Sequence, residues 1–235
     1  MSILEVKNIC KSFGEKVVID DVSFNIEKSK IVGLLGKNGC GKTTILKMIN
    51  DLLTVDSGEI LVSGKNVGVE TKQIISFLPE RTYLESGQKV SQVLDYFVDF
   101  YQDFNLEKAK KLLCDLDIDI NQSLLKMSKG MKEKVQLALV MSRKASLYVL
   151  DEPLGGVDPS TRDYILKTIL SNFEEDSSLL ITTHLIADVE KILDQVIFLD
   201  KGKIILNQDA DSLRQEQNKS IDEIFRSMVK WLENY

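Results

Sequence analysis

The stretch of sequence that decides the fold is Gly36-Lys37-Asn38-Gly39-Cys40-Gly41-Lys42-Thr43-Thr44. It matches the pattern Gly-x-x-x-x-Gly-Lys-Ser/Thr, in which glycines let backbone N–H groups turn inward and cradle phosphate oxygens at the start of a helix. All nine residues are therefore candidate nucleotide-binding residues. Lys42 is expected to reach the terminal phosphates, and Thr43 to offer a hydroxyl to Mg²⁺. The stretch predicts a site for a nucleoside triphosphate with magnesium.

The residues on either side of this loop support that prediction. Residues 31–35 form a continuous apolar run, which is typical of a strand buried on both faces. Residues 45–49 then follow with the apolar spacing of a helix. A glycine-rich turn between a buried strand and a helix is the context that phosphate binding by this motif requires.

A pair of acidic residues ends a second apolar run. Asp151 and Glu152 directly follow the apolar residues 147–150 and precede Pro153. An acid at the carboxyl end of a buried strand reaches the crevice in which α/β sheets bind ligands. We predict that Asp151 holds Mg²⁺, directly or through water. We predict that Glu152 is a general base that orients the attacking water.

Two further features are less specific when taken alone. His184, the single histidine of the chain, follows the apolar residues 179–181. Its position leaves open a structural role or a place in the same crevice, where it would donate to a γ-phosphate oxygen. Ser128 and Gly130 stand where a helix over about 131–143 is predicted to begin. There Ser128 is a natural N-cap and Gly130 allows close approach by a phosphate, but this segment alone indicates only a helix start.

The rest of the chain alternates between strand and helix patterns, which predicts a mainly parallel sheet with helices on both faces. Residues 1–30 have the pattern of short strands, and an all-helical insert over about 85–143 interrupts the alternation. A capping-box pattern at Ser220 and an apolar stripe predict a C-terminal helix over about 220–232. That helix either packs on its own domain or offers a surface to a partner. We expect one domain, residues 1–235.

The composition argues against several classes of protein. The 235 residues carry a formal net charge of −6, and no Lys/Arg cluster is free of neighbouring acids, so nucleic acid is not an expected partner. The three cysteines are widely spaced, which is typical of free thiols in a reducing cytoplasm. No apolar run approaches the ~20 residues that a membrane helix needs. We therefore expect a soluble chain that reaches a membrane only through a partner.

Together these segments resemble the nucleotide-binding subunit of ATP-binding cassette (ABC) transporters over roughly residues 2–206. The resemblance implies an α/β fold: a P-loop NTPase core with a mainly parallel sheet, an N-terminal antiparallel β subdomain and an inserted α-helical subdomain. It assigns Phe13 as the aromatic residue that stacks on adenine. It assigns residues 36–44 as the Walker A loop and residues 147–152 as Walker B, with Glu152 as the catalytic glutamate.

The resemblance extends to the remaining motifs, with two departures. It assigns His184 as the switch histidine and residues 155–158 as the D-loop. The family's signature Leu-Ser-Gly-Gly-Gln is replaced here by residues 127–131, Met-Ser-Lys-Gly-Met, which keep the serine and the second glycine. The second departure is Glu80, where the family usually has glutamine. A carboxylate can still ligate Mg²⁺, but it adds negative charge near two other acids.

The implied function is that of an ATPase which uses ATP and Mg²⁺ to power a separate membrane permease, in the direction of export. Two such subunits, either two copies or this chain and a related one, would pair head to tail. Ser128 and Gly130 of one subunit would then contact the γ-phosphate held by the other. The subunit would lie in the cytoplasm, on the inner face of the cell membrane, held there by the permease. Both departures resemble the ABC-2-type exporter subgroup.

The sequence leaves two alternatives to this function. One is a soluble ABC ATPase that acts as a regulatory or assembly module. The other is a P-loop kinase or GTPase, which predicts neither the element at residues 127–131 nor His184.

Overall fold

The strands of the chain form two sheets that helices cover. The computed structural model describes residues 2–84, 87–155, 159–173 and 176–233, without the side chains of residues 159–160 and 231–233. The strands are, in chain order, β1 (Ser2–Phe13), β2 (Lys16–Glu27), β3 (Ile31–Leu35), β4 (Ser57–Val62), β5 (Lys65–Asn66), β6 (Ile75–Leu78), β7 (Leu147–Asp151), β8 (Ser178–Thr183), β9 (Gln195–Asp200) and β10 (Lys203–Asp209). The α-helices are α1 (Lys42–Ile49), α2 (Val69–Ile74), α3 (Val90–Phe100), α4 (Leu106–Asp115), α5 (Lys129–Met141), α6 (Pro159–Asn172), α7 (Ile186–Val189), α8 (Ala210–Gln217) and α9 (Ile221–Glu233).

The larger sheet has the strand order β10-β9-β3-β8-β7-β6. All neighbouring strands in it pair in parallel except β10, which is antiparallel to β9. Strand β3, which leads into the glycine-rich loop, lies between β8 and β9. In the register of β7 and β8, Asp151 lies opposite Thr182. Because these strands are parallel, the loop after β3 and the ends of β7 and β8 meet at one edge of the sheet.

The inner strands are buried on both faces, as their continuous apolar runs predict. Successive side chains of a strand point to opposite faces. In β7, Leu147 and Val149 belong to one hydrophobic cluster, and Tyr148 and Leu150 belong to the other. The first cluster includes the apolar side of α1 and the inner face of the smaller sheet, and the second includes apolar residues of α3, α4 and α5. The sheet therefore separates two cores and holds α1 directly behind the glycine-rich loop.

The smaller sheet is antiparallel, with the strand order β2-β1-β4-β5. Strands β1 and β2 form a hairpin that closes between Phe13 and Lys16. Inward side chains such as Ile9, Val22 and Ile26 are fully buried and pack in the same cluster as α1. This sheet therefore forms a second layer against α1.

The helical insert between β6 and β7 is broken where the sequence pattern suggested continuous helical spacing. Helices α3 and α4 are separated by residues 101–105, and Asn105 caps α4 by accepting a hydrogen bond from Lys108 N at 2.9 Å. Aromatic rings gather at the break, with Phe97 and Phe104 at 5.4 Å between ring centres. Helix α5 begins slightly before its predicted start, at Lys129.

The C-terminal helix α9 packs on its own domain, which was one of the two alternatives. Its apolar stripe is buried at Ile221, Ile224, Phe225 and Val229. The Phe225 ring lies 5.1 Å from that of Phe198 in β9. The predicted capping box is present, since Ser220 N donates to Glu223 Oε2 at 2.9 Å and Glu223 N donates to Ser220 Oγ at 3.2 Å.

The parallel core sheet, the N-terminal antiparallel sheet and the helices between β6 and β7 confirm the predicted fold class. The sequence patterns did not reveal the short elements β5, α2 and α8. Across the described residues, no helix has both the length and the apolar character needed to cross a bilayer.

Candidate active site

The backbone of the glycine-rich loop between β3 and α1 depends on its glycines. Gly39 and Gly41 have φ angles of +80° and +115°, which side chains rarely allow. Gly36 is required for space instead, because a β-carbon there would lie 2.4 Å from the Leu199 carbonyl oxygen and 2.6 Å from Cys40 Sγ. With these glycines, the loop can wrap an anion at the start of α1.

Lys42, the first residue of α1, is 5% exposed and is held by groups of its own chain. Its Nζ donates hydrogen bonds to the carbonyl oxygens of Gly36 at 2.8 Å and Lys37 at 3.2 Å. It also forms an ion pair with Glu152, at 3.2 Å from Oε1. The lysine therefore lies at the mouth of the loop, with a carboxylate as its anionic partner.

Asp151 ends strand β7 and is 1% exposed. Its Oδ1 accepts a hydrogen bond from Thr182 Oγ1 at 2.6 Å, and no described residue hydrogen-bonds to its Oδ2. Burial raises the pKa of this carboxyl, the neighbouring hydroxyls of Thr182 and Thr43 oppose that shift, and the charges of Glu80 and Glu152 add to it. A cation bound here would oppose that rise in pKa, because it favours the ionised carboxylate.

Glu152 has a backbone conformation that non-glycine residues rarely adopt, with φ +49°. Its N–H donates to Thr182 O at 3.0 Å and to Thr182 Oγ1 at 3.1 Å, which holds the strained residue in place. Its Oε2 lies 2.9 Å from His184 Nδ1 and accepts a longer bond from His184 N at 3.3 Å. The carboxylate is thus fixed between His184 and Lys42.

Thr182 is a residue of this site that the sequence analysis missed. Its hydroxyl donates to Asp151 and accepts from the Glu152 N–H, so one side chain orients both acids. The available signal was a polar pair, Thr182 and Thr183, directly after the apolar residues 179–181. Both threonines are fully buried.

A cleft of about 200 Å³ brings the predicted catalytic residues together. The lining residues of this cleft, which we call the catalytic cleft, include Asn38, Glu80, Asp151, Glu152, His184, Lys129 and Gly130. Glu80 itself is exposed. The cleft joins the end of the sheet to the first turn of α5, so Gly130 shares a cavity with Glu152 in the same chain.

The oxygen donors at this edge of the sheet fit Mg²⁺. Thr43, Glu80 and Asp151 line one groove, and the free Oδ2 of buried Asp151 is suited to a ligand. Mg²⁺ prefers hard oxygen donors, and it usually takes one or two carboxylates together with phosphate oxygens rather than a full protein cage. In agreement with so sparse a set, the described residues contain no cluster of three or more His, Cys, Asp or Glu side chains that could hold a metal.

The remaining predicted residues lie on two other elements. Phe13 ends β1 at the hairpin, where its ring is 52% exposed and Lys11 Nζ lies 5.8 Å from the ring centre. Ser128 is exposed and caps α5, because its Oγ accepts from Met131 N at 3.2 Å. Of the predicted D-loop only its first residue, Gly155, is described, and it lines the catalytic cleft. Residues 156–158 lie outside the described part of the chain.

Comparison with known proteins agrees with this arrangement. Residues 19–155 match the family model described as ABC transporter. The chain is 32% identical over 220 residues to the ABC transporter ATP-binding protein YtrB of Bacillus subtilis (strain 168), across 92% of this chain and 75% of that protein. It is 31% identical over 211 residues to the linearmycin resistance ATP-binding protein LnrL of the same organism, across 86% of this chain and 68% of that protein.

The three-dimensional comparison leads to the same family. A solved structure described as the ATP binding subunit of an ABC transporter superposes with a TM-score of 0.87 at 26% sequence identity, covering 97% of this chain and 100% of the other. The glycine-rich loop, the paired acids after β7 and the histidine after β8 meet at one edge of the shared fold. The chain therefore belongs to the ABC transporter family, as an ATP-binding and ATP-hydrolysing transporter subunit.

Proposed function

We propose that Glu152 activates the water that attacks ATP and that Lys42 and His184 bind the γ-phosphate. The proposal is carried by one observation: the Glu152 carboxylate lies 3.2 Å from Lys42 Nζ and 2.9 Å from His184 Nδ1. Two groups that can donate to an anion converge on this carboxylate, next to the loop that suits phosphate. When ATP binds, Lys42 exchanges the carboxylate for phosphate oxygens. Glu152 then stands beside the γ-phosphate, free to accept a proton from water.

The other residues bind and orient the nucleotide. The N–H groups of residues 36–44 cradle the phosphates, and Phe13 stacks on adenine through its half-exposed ring. Thr43 and Asp151, with Glu80 nearby, hold Mg²⁺. When bound, this ion neutralises phosphate charge and fixes the phosphate chain for in-line attack. The hydrogen bonds of Thr182 hold Asp151 and Glu152 in position at that site.

The subunit works as half of a head-to-tail pair, formed with a second copy or a related chain. Ser128 and Gly130 of one subunit approach the ATP that the other holds. Ser128 is exposed, and because its Oγ accepts from Met131 N, its own hydrogen remains available to donate to a phosphate oxygen. ATP therefore favours the closed pair, and its hydrolysis releases the pair.

A membrane permease is the partner that responds to this cycle of pairing and release. Beside the active site, a groove of about 1150 Å³ runs between α1, α2 and the insert, and we call it the insert groove. Its lining combines basic and aromatic side chains: Lys47, Lys72, Arg81, Tyr83, Phe100 and Tyr101. These side chains suit an amphipathic permease segment with an acidic residue, and the proposed contact would hold the subunit at the cytoplasmic face of the membrane. The name of the relative LnrL, which refers to linearmycin resistance, favours export as the direction.

The substitution Glu152→Gln tests the proposed chemistry. It keeps the shape of the side chain but removes the base, so steady-state ATP hydrolysis should fall by about 100-fold or more. ATP binding should remain, and ATP-dependent pairs should accumulate because release requires hydrolysis. Hydrolysis is measured as phosphate release and pairing by sedimentation, in the presence and absence of ATP.

The control is Glu107→Gln, an exposed carboxylate on α4 outside the site, which should hydrolyse ATP at the parental rate. Near-parental turnover by Glu152→Gln would overturn the role of Glu152. Loss of turnover without any ATP-dependent pairing would instead contradict the paired state.

A further inference from the structure

The first turn of α5 carries a lysine that the proposed mechanism does not use. Lys129 stands between Ser128 and Gly130, at the position where the family's signature has glycine. We infer that Lys129 supplies a positive charge in trans to the triphosphate held by the opposite subunit. This inference rests on the proposed head-to-tail pair.

Lys129 is available for such a role. Its side chain is 78% exposed, and its ion pair with Glu133 is a 3.6 Å contact between residues one helical turn apart. A 3.6 Å contact between an exposed lysine and a half-buried glutamate on the same helix is weak, so a phosphate can replace Glu133 as the partner of Lys129. Because Lys129 lines the catalytic cleft and most of its side chain lies in solvent, its amine is accessible to a molecule that docks on this face.

Gly130 indicates that another molecule approaches this turn. A β-carbon at Gly130 would meet no atom within 4 Å, and its backbone is helical without a positive φ. Neither space nor conformation within the described chain calls for glycine here, although glycine inside a helix is unfavourable relative to alanine. Close approach of an outside group over the N–H groups of Lys129 and Gly130 explains the residue. Those first-turn N–H groups have no partner within the helix and favour an anion.

The catalytic cleft beside this turn also contains buried oxygen atoms to which no described residue hydrogen-bonds. Gln136, on the same helix, is 2% exposed and lines the cleft, and its Oε1 has no hydrogen-bond partner in the described part of the chain. Asp151 Oδ2 in the same cleft shares this property. Buried oxygens of this kind point to groups from a ligand or a second subunit.

The charge balance of a loaded site favours an added cation. Asp151, Glu152 and Glu80 line the cleft, and magnesium–ATP itself retains negative charge. Lys42 is a cation that each chain contributes from its own loop, and Lys134 of the same chain also lines the cleft. A lysine delivered from the opposite subunit would act only when the pair closes, so it would strengthen pairing rather than nucleotide binding by the single subunit.

The test uses the full chain carrying Glu152→Gln, in which ATP-dependent pairs persist. Adding Lys129→Gln should weaken ATP-dependent pairing by about tenfold and reduce its dependence on salt concentration. Lys129→Arg, which keeps the charge, should pair within about threefold of the parent. The affinity of dilute, unpaired subunits for ATP should be the same in all three proteins. Pairing is measured by sedimentation over a series of salt concentrations, and ATP affinity by fluorescence of a nucleotide analogue.

The matched control is Lys126→Gln, an exposed lysine just before the same helix, which should pair like the parent. The inference is overturned if Lys129→Gln pairs as tightly as the parent. It is equally overturned if the ATP affinity of the unpaired subunit falls as much as pairing does, because the charge would then act within one chain. If the Glu152→Gln parent does not pair with ATP at all, the head-to-tail proposal fails, and the role of Lys129 fails with it.

Discussion

At the scale of single residues, the structure gives Cys40 a packing role within the phosphate loop. The side chain is 6% exposed, and its Sγ fills the space beside Gly36 that a β-carbon would occupy. Burial raises the pKa of the thiol, and the nearby Lys42 only partly offsets that effect. A smaller fraction of reactive thiolate is therefore present at neutral pH. Cys114, by contrast, is exposed.

This difference predicts the order of thiol alkylation. Near neutral pH, Cys114 should be modified first and Cys40 at least about tenfold more slowly. The rate at Cys40 should increase as the pH rises toward the raised pKa of its thiol, because more thiolate then forms. Once Cys40 carries the adduct, hydrolysis should stop, since the loop has no room for it, and bound ATP should slow the reaction. The rates are measured by mass spectrometry of the modified peptides.

The control is Cys114→Ser, in which alkylation should inactivate the protein at the rate of Cys40 modification. Normal turnover by protein fully modified at Cys40 would contradict this account of the loop.

At the scale of elements, polar contacts fix helix α5 to strand β6, the strand that leads to Glu80. Ser76 Oγ donates to Val140 O at 2.8 Å, and Gln136 Nε2 donates to Pro79 O at 3.3 Å. Helix α5, which begins at Lys129, is thus attached along the strand that ends beside the proposed magnesium donors. A movement of α5 therefore shifts β6 as well.

Arg143, just beyond α5, is the buried charge at the base of this contact. It is 4% exposed, donates to Ile75 O at 2.6 Å, pairs with Asp103 at 3.0 Å, and lies 4.0 Å from the centre of the Tyr101 ring. The guanidinium therefore joins β6 to the break between α3 and α4. Because it also lines the insert groove, it lies between the proposed permease surface and the core.

We predict that Arg143→Met lowers the free energy of unfolding by about 3 kcal/mol, because it leaves Asp103 and buried carbonyl groups without a donor. The value is at the low end for a buried ion pair, since the Asp103 side chain is 25% exposed. Chemical denaturation measures the change. The surface control Lys65→Met, which removes an exposed ion pair with Glu70, should leave stability unchanged. Equal stabilities of the Arg143 variant and the parent would show that the charge is not integral to the junction.

At the scale of the whole molecule, the nucleotide site adjoins the surface proposed for the permease. The catalytic cleft and the insert groove lie side by side and share Glu80 and Asp151 in their linings. Phe100, which lines the groove, stacks on Tyr96 at 5.6 Å between ring centres, and the two side chains are 65% and 57% exposed. Large exposed aromatic side chains of this kind are typical anchors of protein interfaces.

We predict that Phe100→Asp weakens co-isolation with the permease by about 30-fold, which corresponds to the loss of one aromatic anchor. The free energy of unfolding should change by less than about 1 kcal/mol, because the side chain is mostly in solvent. Both are measured on protein purified from cells that contain the intact transporter. The control is Leu170→Ser on α6, also exposed but away from the groove, which should co-isolate like the parent. If Phe100→Asp co-isolates with the permease as well as the parent does, the permease binds to a different surface.

Much of the candidate site could be predicted because local signals carried it. The run at residues 31–35 is apolar throughout because β3 is buried on both faces, and the glycines after it are required by backbone geometry. Asp151 and Glu152 were recognisable because acids rarely follow such a run directly. Helices α2 and α8 were not predicted because their local signal is weak. Six and eight residues show too little periodicity to distinguish a helix from a loop.

The sequence by itself determined the glycine-rich loop and the strand and helix on either side of it, since glycine conformation and strand burial act on neighbouring residues. Only the tertiary structure decided that Glu152 lies between Lys42 and His184, and that Thr182 orients both acids. These residues follow three different strands, and the order β3-β8-β7 that joins them is a long-range pairing. Local periodicity predicts which faces of a strand are buried. Which strands pair with one another is decided instead by the packing of the two cores on opposite sides of the sheet.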